Sequence, residues 1–373
     1  MRIGLVIYGS LEVVSGGNLY DSMLVERLER SGHVVEVLSI PHRRYALDLA
    51  QNLSPALRRR LSETSFDVLI EDELAHPSLF RMNRSLRART SAPVVSVVHH
   101  LRSSEERADW QNKLYRRVEK RYLATVDAFV FNSETTRESV ESLLGKKTRN
   151  IVAPPGGDRL PRTMTREEIM DRAREDGEIR LLFVGNLIPR KGLHWLLQAL
   201  ASLAGRRFRL DVVGSHEIDS TYAAGIRSQV RELDLGGRIT FHGSLAGERL
   251  VERFREGQVL VVPSSYEGFG IVYLEAMGFG LPVIASGAGA TDEIVQHEAT
   301  GFLVPPGDVW SLTRQIERLL DDPELRVQMS LAAYEGFEDH PRWEDSMAKI
   351  ERFLEETMSQ SRANIRSVAP PNA

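Results

Sequence analysis

Short apolar runs in this chain alternate with segments whose apolar residues recur every three or four positions, the signature of strands alternating with helices. The series opens at Arg2–Tyr8, where Ile3, Leu5, Val6 and Ile7 are apolar and largely β-branched and predict a buried strand. Gly16-Gly17 precede a helical stretch with Leu19, Met23, Leu24 and Leu28 on one side. Gly32 fits the end of that helix, and Val34–Ile40 predicts a second strand. Further strand candidates at 66–70, 93–99 and 128–132 are separated by helical stretches. Such alternation predicts a parallel sheet covered by helices on both faces.

The alternation breaks at the APPGGD stretch, 153–158. The polar residues that follow, through Asp176, read as a linker and an exposed helix. It then restarts, with strand candidates at 179–185, 209–213, 239–242, 259–263 and 283–285. A chain of 373 residues exceeds what one core usually organises. The expectation is therefore α/β, two doubly wound Rossmann-like domains in series: 1–160 and 161–338, then an amphipathic helix at 339–358 and a disordered tail at 359–373. Ligands of such sheets bind beyond the carboxyl ends of the strands. Two such domains facing a central cleft would bring both sets of strand ends to it, so chemistry is sought just after each strand.

Composition removes several classes. The chain has no cysteine, which excludes disulfides, thiolate metal sites and cysteine nucleophiles and suits a cytoplasmic protein. The net charge of −4 gives no global reason to expect a nucleic-acid partner. MRIGLVIYGS lacks the order of a signal peptide, and no apolar run approaches the roughly 20 residues that span a bilayer. The first 150 residues are nevertheless basic, with 23 Lys and Arg against 19 Asp and Glu. Arg43, Arg44, Arg58, Arg59, Arg60, Arg81, Arg84, Arg87 and Arg89, then Arg116, Arg117, Lys120 and Arg121, read first as solvated helix faces. Interleaved as they are with Leu and Tyr, peripheral contact with an anionic membrane is the second reading.

The chemistry concentrates between Val262 and Asp308. A strand there ends in a polar turn, Glu267-Gly268-Phe269-Gly270, ahead of a helix predicted over Ile271–Met277. Glycines before a helix leave backbone N–H groups open for phosphate oxygens, which puts Gly268, Phe269, Gly270, Ile271 and Val272 on the candidate list. Glu267 and Glu275 flank this start, and a carboxylate accepts the paired hydroxyls of a sugar or ribose. Upstream, VGNLIPRKGL (184–193) turns after another strand and presents Arg190 and Lys191, read first as a surface basic pair, with cations for a diphosphate leaving group as the alternative. His99 and His100 close the strand VVSVVHH. Glu71, Asp72 and Glu73 follow another strand and read as a solvated acidic loop, with acceptor contact as the alternative.

This arrangement resembles the donor-binding signature of the retaining glycosyltransferases of the GT-B fold, glycosyltransferase family 4. Its hallmark is two glutamates with seven residues between them in an E-G-F-G…E-A…G-x-P-V-I-A setting, matched by Glu267, Gly268, Phe269, Gly270, Glu275, Ala276, Gly280, Pro282, Val283, Ile284 and Ala285. The resemblance implies that Glu267 faces the transferred sugar and Glu275 holds the ribose. It also implies that Lys191 grips the diphosphate. The family's arginine position is Asn186 here, a departure for which Arg190 is the candidate compensation. Gly16 and Gly17 fall where the family's glycine-rich loop approaches the nucleotide-sugar. In the family a histidine after this strand, VVSVV here, touches the donor sugar or reacting centre, a role the resemblance carries to His99, whose spacing fits better, with His100 the alternative. A terminal helix, carrying Trp343, Met347, Ile350, Phe353 and Leu354, crosses back to the first domain in enzymes of this fold.

The resemblance thus implies transfer of a sugar from a nucleotide-diphosphate sugar to an acceptor that the sequence does not name, with retained anomeric configuration. No cofactor and no catalytic metal are expected. The alternatives are a nucleotide-sugar epimerase of the same fold and a nucleotide-sugar-binding protein without turnover. P-loop chemistry is disfavoured, because no G-x-x-x-x-G-K-[ST] occurs.

Overall fold

The computed structural model describes residues 1–13, 15–63, 65–87, 90–105, 107–161 and 164–368. The chain divides into two compact units. One comprises residues 1–155 together with the C-terminal stretch from Trp343, and the other runs Gly156–Arg342. The division falls a few residues before the predicted boundary at 160.

The first unit opens β1 (Arg2–Tyr8), α1 (Gly16–Arg30), β2 (Val34–Ile40), α2 (Tyr45–Gln51), α3 (Pro55–Glu63) and β3 (Val68–Asp72). Two short helices follow, α4 (His76–Leu79) and α5 (Met82–Leu86), then β4 (Val94–Val98), α6 (Asp109–Leu123), β5 (Ala128–Phe131), α7 (Glu134–Leu144) and β6 (Asn150–Val152). The strands form one parallel sheet in the order β2-β1-β3-β4-β5-β6. Strand β1 is central and apolar on both faces: Leu5 pairs with Val37 on one side and Ile70 on the other. That is why it reads as a continuous apolar run and not as an alternation.

The second unit runs α8 (Arg166–Arg174), β7 (Ile179–Val184), α9 (Leu193–Ser202), β8 (Phe208–Val213), α10 (Ser220–Glu232), β9 (Ile239–Gly243), α11 (Glu248–Glu256) and β10 (Val259–Val262). It continues with α12 (Ile271–Met277), β11 (Val283–Ser286), β12 (Gly301–Val304), α13 (Val309–Asp321) and α14 (Pro323–Glu338). Its sheet is parallel in the order β12-β11-β10-β7-β8-β9, so β10 and β7, from which the predicted site residues hang, lie side by side at its centre. The expected pair of doubly wound sheets is therefore present. Two strands escaped prediction: β6 and β12 are only three and four residues long, and pair with β5 and β11.

Two local expectations change. The stretch read as linker and exposed helix contains α8, capped by a reciprocal Thr165–Glu168 box and docked into the second unit through Ile169, Arg172 and Ala173. Arg172 is buried because its guanidinium donates to the carbonyls of Phe254, Arg255, Phe279 and Gly280. At the C-terminus, α15 (Trp343–Val368) continues through the first ten residues of the predicted disordered tail. Residues 369–373 lie outside the described residues, as does Arg89. The buried side of α15 carries Trp343, Met347, Ile350, Phe353 and Leu354. It joins the first unit through Arg27 and His33, which meet Glu351 at 2.8 and 3.1 Å. No helix among the described residues is long and apolar enough to cross a membrane.

Candidate functional site

In the second unit the loops after β7, β10 and β11 converge. Gly192, at φ +72°, sits where a Cβ would fall 2.1 Å from the Pro263 carbonyl oxygen, so only glycine lets the turn after β7 press against the end of β10. The two turns are stitched by their backbones: Ser265 N–H donates to Arg190 O at 2.7 Å, and the Arg190 guanidinium donates to Tyr266 O at 2.7 Å. Gly289 closes the third side, at φ +76° and with space for no side chain against Glu267 O. That oxygen accepts Ala290 N–H at 3.0 Å.

These constraints fix Glu267 as the hub. Its Oε1 accepts Lys191 Nζ at 2.5 Å and Ser264 Oγ at 2.6 Å, and its Oε2 lies 3.6 Å from the Arg190 guanidinium. Burial alone would raise the Glu267 carboxyl, but Lys191 and Arg190 override it and hold it at about 2. Lys191 moves down from its ordinary value because burial and Arg190 outweigh the attraction of Glu267. The sequence-predicted residues Arg190, Lys191 and Glu267 are thus brought together at the carboxyl ends of β7 and β10.

Gly268, Phe269 and Gly270 carry the turn into α12, whose first residues are Ile271 and Val272. Gly270 is left-handed at φ +101°, with the Tyr273 ring where a Cβ would go. Phe269 is buried, its ring 5.8 Å from that of His340. Glu275, within α12, is buried and faces Arg159, which donates to its Oε1 from Nε at 2.9 Å and Nη2 at 2.6 Å. Burial raises the Glu275 carboxyl and Arg159 opposes the rise. Asn186 accepts Ser215 N–H at 3.3 Å through its Oδ1, and so lies toward the loop after β8. Sequence reasoning missed Arg159 and Ser264. Arg159 follows the APPGGD break in a stretch read as linker, and its signal was a lone cation beside a glycine pair.

In the first unit His99, immediately after β4, is fixed from three sides. Its Nε2 is 3.2 Å from Asp21 Oδ1, the Tyr20 ring meets it edge-on at 5.3 Å, and Gly17 packs against Cδ2 where a Cβ would stand 3.1 Å away. Burial pulls the imidazole down, but Asp21, with Asp72 and Glu73, raises it to about 9, so the ring is an imidazolium donating to Asp21. Gly16 is the exposed first residue of α1. His100 turns elsewhere, with Nε2 2.9 Å from Glu105. Glu71, Asp72 and Glu73 correct the solvated-loop reading. All three are buried, because β3 runs two residues further than predicted, to Asp72, and Glu73 opens a 3-10 turn, Glu73–Ala75, that leads into α4.

Two parallel doubly wound units with a carboxylate–cation cluster at the strand ends of the second define the GT-B class. The structure superposes on sucrose-phosphate synthase from Thermosynechococcus elongatus with a TM-score of 0.81, over 96% of this chain and all of that one, at 23% identity. It also superposes on Anabaena HepE in complex with UDP and glucose, with a TM-score of 0.74 over 95% of this chain and 99% of that one, at 21% identity. Residues 165–336 match the family described as glycosyl transferases group 1, and residues 14–159 match glycosyltransferase family 4. The chain belongs to this glycosyltransferase family. It is 30% identical over 240 residues to the GDP-mannose-dependent α-(1-6)-phosphatidylinositol monomannoside mannosyltransferase of Mycobacterium tuberculosis, a match that takes in 61% of each chain.

Proposed function

We propose that the protein is a retaining glycosyltransferase that binds a nucleotide-diphosphate sugar in its second unit and passes the sugar to a separate acceptor. The observation that carries this is the Lys191–Glu267–Arg190 cluster at the ends of β7 and β10. A carboxylate held ionised accepts sugar hydroxyls, and the two cations beside it neutralise a departing diphosphate. Arg190 supplies the charge that Asn186 does not. Glu275 takes the ribose, sharing it with Arg159. The bound UDP of HepE and the GDP-mannose of the mycobacterial relative support a diphosphate donor and leave its base open. The role of His99 in the transfer, and the placing of Gly16, Gly17 and the amides of Gly268 to Val272 against the donor, rest on the family resemblance. The chemistry assigned to these residues needs no cofactor and no catalytic metal.

The test is a thermal-shift screen of nucleotide-diphosphate sugars, followed by product analysis with the hit. A bound donor raises the melting temperature by mass action. Lys191→Met and Glu275→Ala are expected to abolish that rise. Retained donor-dependent stabilisation in both variants sinks the reading. Release of an isomerised free sugar makes the protein an epimerase, and donor binding with no product makes it a binding protein.

A specific observation favours membrane contact by the first unit. On α6, Trp110 and Leu114 stand one turn apart and are exposed, among exposed Lys113, Arg116, Arg117, Lys120 and Arg121. The Tyr45 ring of α2 packs 4.4 Å from Tyr115 of α6, which brings exposed Leu47 onto a neighbouring element. Apolar residues set among cations are the composition of an interfacial helix, and an amphiphilic acceptor on an anionic surface would suit it. Flotation with anionic liposomes is expected to carry the wild type, and Trp110→Ala with Leu114→Ala to release it. Equal flotation with neutral lipid removes this reading.

A further inference from the structure

We propose that Glu73, His76 and Glu119 form a binding site for one divalent transition-metal ion of the zinc class, buried in the first unit and separate from the sugar-transfer groups.

The three residues come from different places: Glu73 from the 3-10 turn after β3, His76 from the first position of α4, and Glu119 from the last turns of α6. All three are buried, and one ligand atom from each lies within 4.8 Å of the other two. His76 Nδ1 is 3.1 Å from Glu73 Oε1. Two ligands on a tetrahedral Zn²⁺ with bonds of ~2.0–2.1 Å stand about 3.3 Å apart, so this edge is nearly formed.

What points to a ligand is Glu73 itself. Both of its carboxylate oxygens are buried, and neither takes part in a hydrogen bond. Buried carboxylates are ordinarily satisfied, and one left bare at both oxygens costs several kcal/mol if ionised. Arg102, whose charge is felt here, is held over the rings of Tyr45 and Tyr115 at 5.4 and 5.2 Å and gives Glu73 no hydrogen bond. The supporting groups are already those of a metal site. Tyr45 Oη lies 3.2 Å from His76 Nε2, and Ser103 donates to Glu119 from its backbone N–H at 3.0 Å and from Oγ at 2.5 Å. When the His76 proton sits on Nε2 and is donated to Tyr45, the Nδ1 lone pair turns toward Glu73, whose carbonyl oxygen is 3.0 Å away. In that tautomer a cation between these atoms relieves the clash of lone pairs, with the Tyr45 oxygen accepting from Nε2 behind the ring. The ion would cross-link the end of β3 to α4 and α6.

The experiment uses the full-length chain, stripped with a chelator, dialysed, and titrated with Zn²⁺ by calorimetry and Co²⁺ by absorption. One equivalent is expected to bind, with a rise in melting temperature and the absorption of tetrahedral cobalt on nitrogen and oxygen ligands. Glu73→Gln and Glu119→Gln are each expected to weaken Zn²⁺ at least about tenfold. Glu355→Gln, at the partly exposed His33–Glu351–Glu355 group, is expected to leave binding unchanged. Should a ligand variant fail to fold, Tyr45→Phe removes only the bond behind His76 and is expected to weaken Zn²⁺ by about tenfold. No stoichiometric metal on the stripped wild type overturns the proposal, as does affinity unaltered in the ligand variants and in Tyr45→Phe. None of these readouts depends on glycosyl transfer.

Discussion

Glu267 is buried, yet it is the most strongly ionised carboxylate of the candidate site, and its neighbours explain why. The folded value of about 2 lies below the ordinary 4.5, so the interaction stabilises the protein at any pH above about 4.5 and is lost as pH falls toward 2. The span corresponds to about 3 kcal/mol. Glu267→Gln is therefore expected to flatten the acid limb of a stability–pH curve between roughly pH 5 and 2. It should also destabilise the protein near neutrality, because Lys191 keeps its buried charge without a counter-charge. Urea midpoints measured across that range decide it; an unchanged acid limb means the carboxylate is not paired in solution. A second residue-scale outcome concerns Gly17. A methyl group there would stand 3.1 Å from the His99 ring, so the ring must yield by a few tenths of an ångström. If His99 serves transfer, Gly17→Ala is expected to lower kcat by about tenfold while the melting temperature barely moves.

At the scale of elements, what the sequence made legible followed from periodicity. Strands β1, β7 and β10 and helix α12 stand where the pattern put them, because buried parallel strands read as continuous apolar runs and glycines mark the turns after them. The pair Glu267–Glu275 was legible only through its resemblance to the family pattern, in which Gly270 is left-handed at φ +101°. Legibility failed where a partner defines the element. β12 is only four residues, Gly301–Val304, too short a run to announce itself, and becomes a strand by lying along β11. Asp72 and Glu73 looked like a loop because charged residues ordinarily seek water, and nothing local announces that His76, Glu119 and Asp21 surround them. Arg172 is the same case in α8: a surface residue by composition, it is buried because four carbonyls await it. Arg172→Met would keep the bulk and orphan those acceptors, with an expected loss of about 3 kcal/mol or more. Chemical denaturation of the second unit reads this directly; a variant within 1 kcal/mol of wild type would show that water takes over the carbonyls.

For the molecule as a whole, the chain order of the units matters more than their likeness. The first unit is discontinuous, completed by α15 after the second has been spelled out in full. Tyr20 is buried with its hydroxyl on Ala153 O at 2.7 Å and its ring 5.9 Å from Trp343, while Lys349 donates to Val152 O at 2.6 Å, so α15 covers the side of the sheet where α1 and β6 meet. Trp343, Met347, Ile350, Phe353 and Leu354 would each forfeit about 1.5–3 kcal/mol on exposure, a sum comparable with the ~5–15 kcal/mol that holds a domain together. Ending the chain at Arg342 is therefore expected to unfold the first unit. The second unit, Gly156–Arg342, has its own sheet and core and is expected to survive as a protease-resistant fragment melting at its own midpoint. Calorimetry of the truncated chain should show one transition where the intact chain shows two. Loss of both transitions would mean that the second unit cannot stand without the first, and survival of both would mean that α15 contributes little to the core it covers.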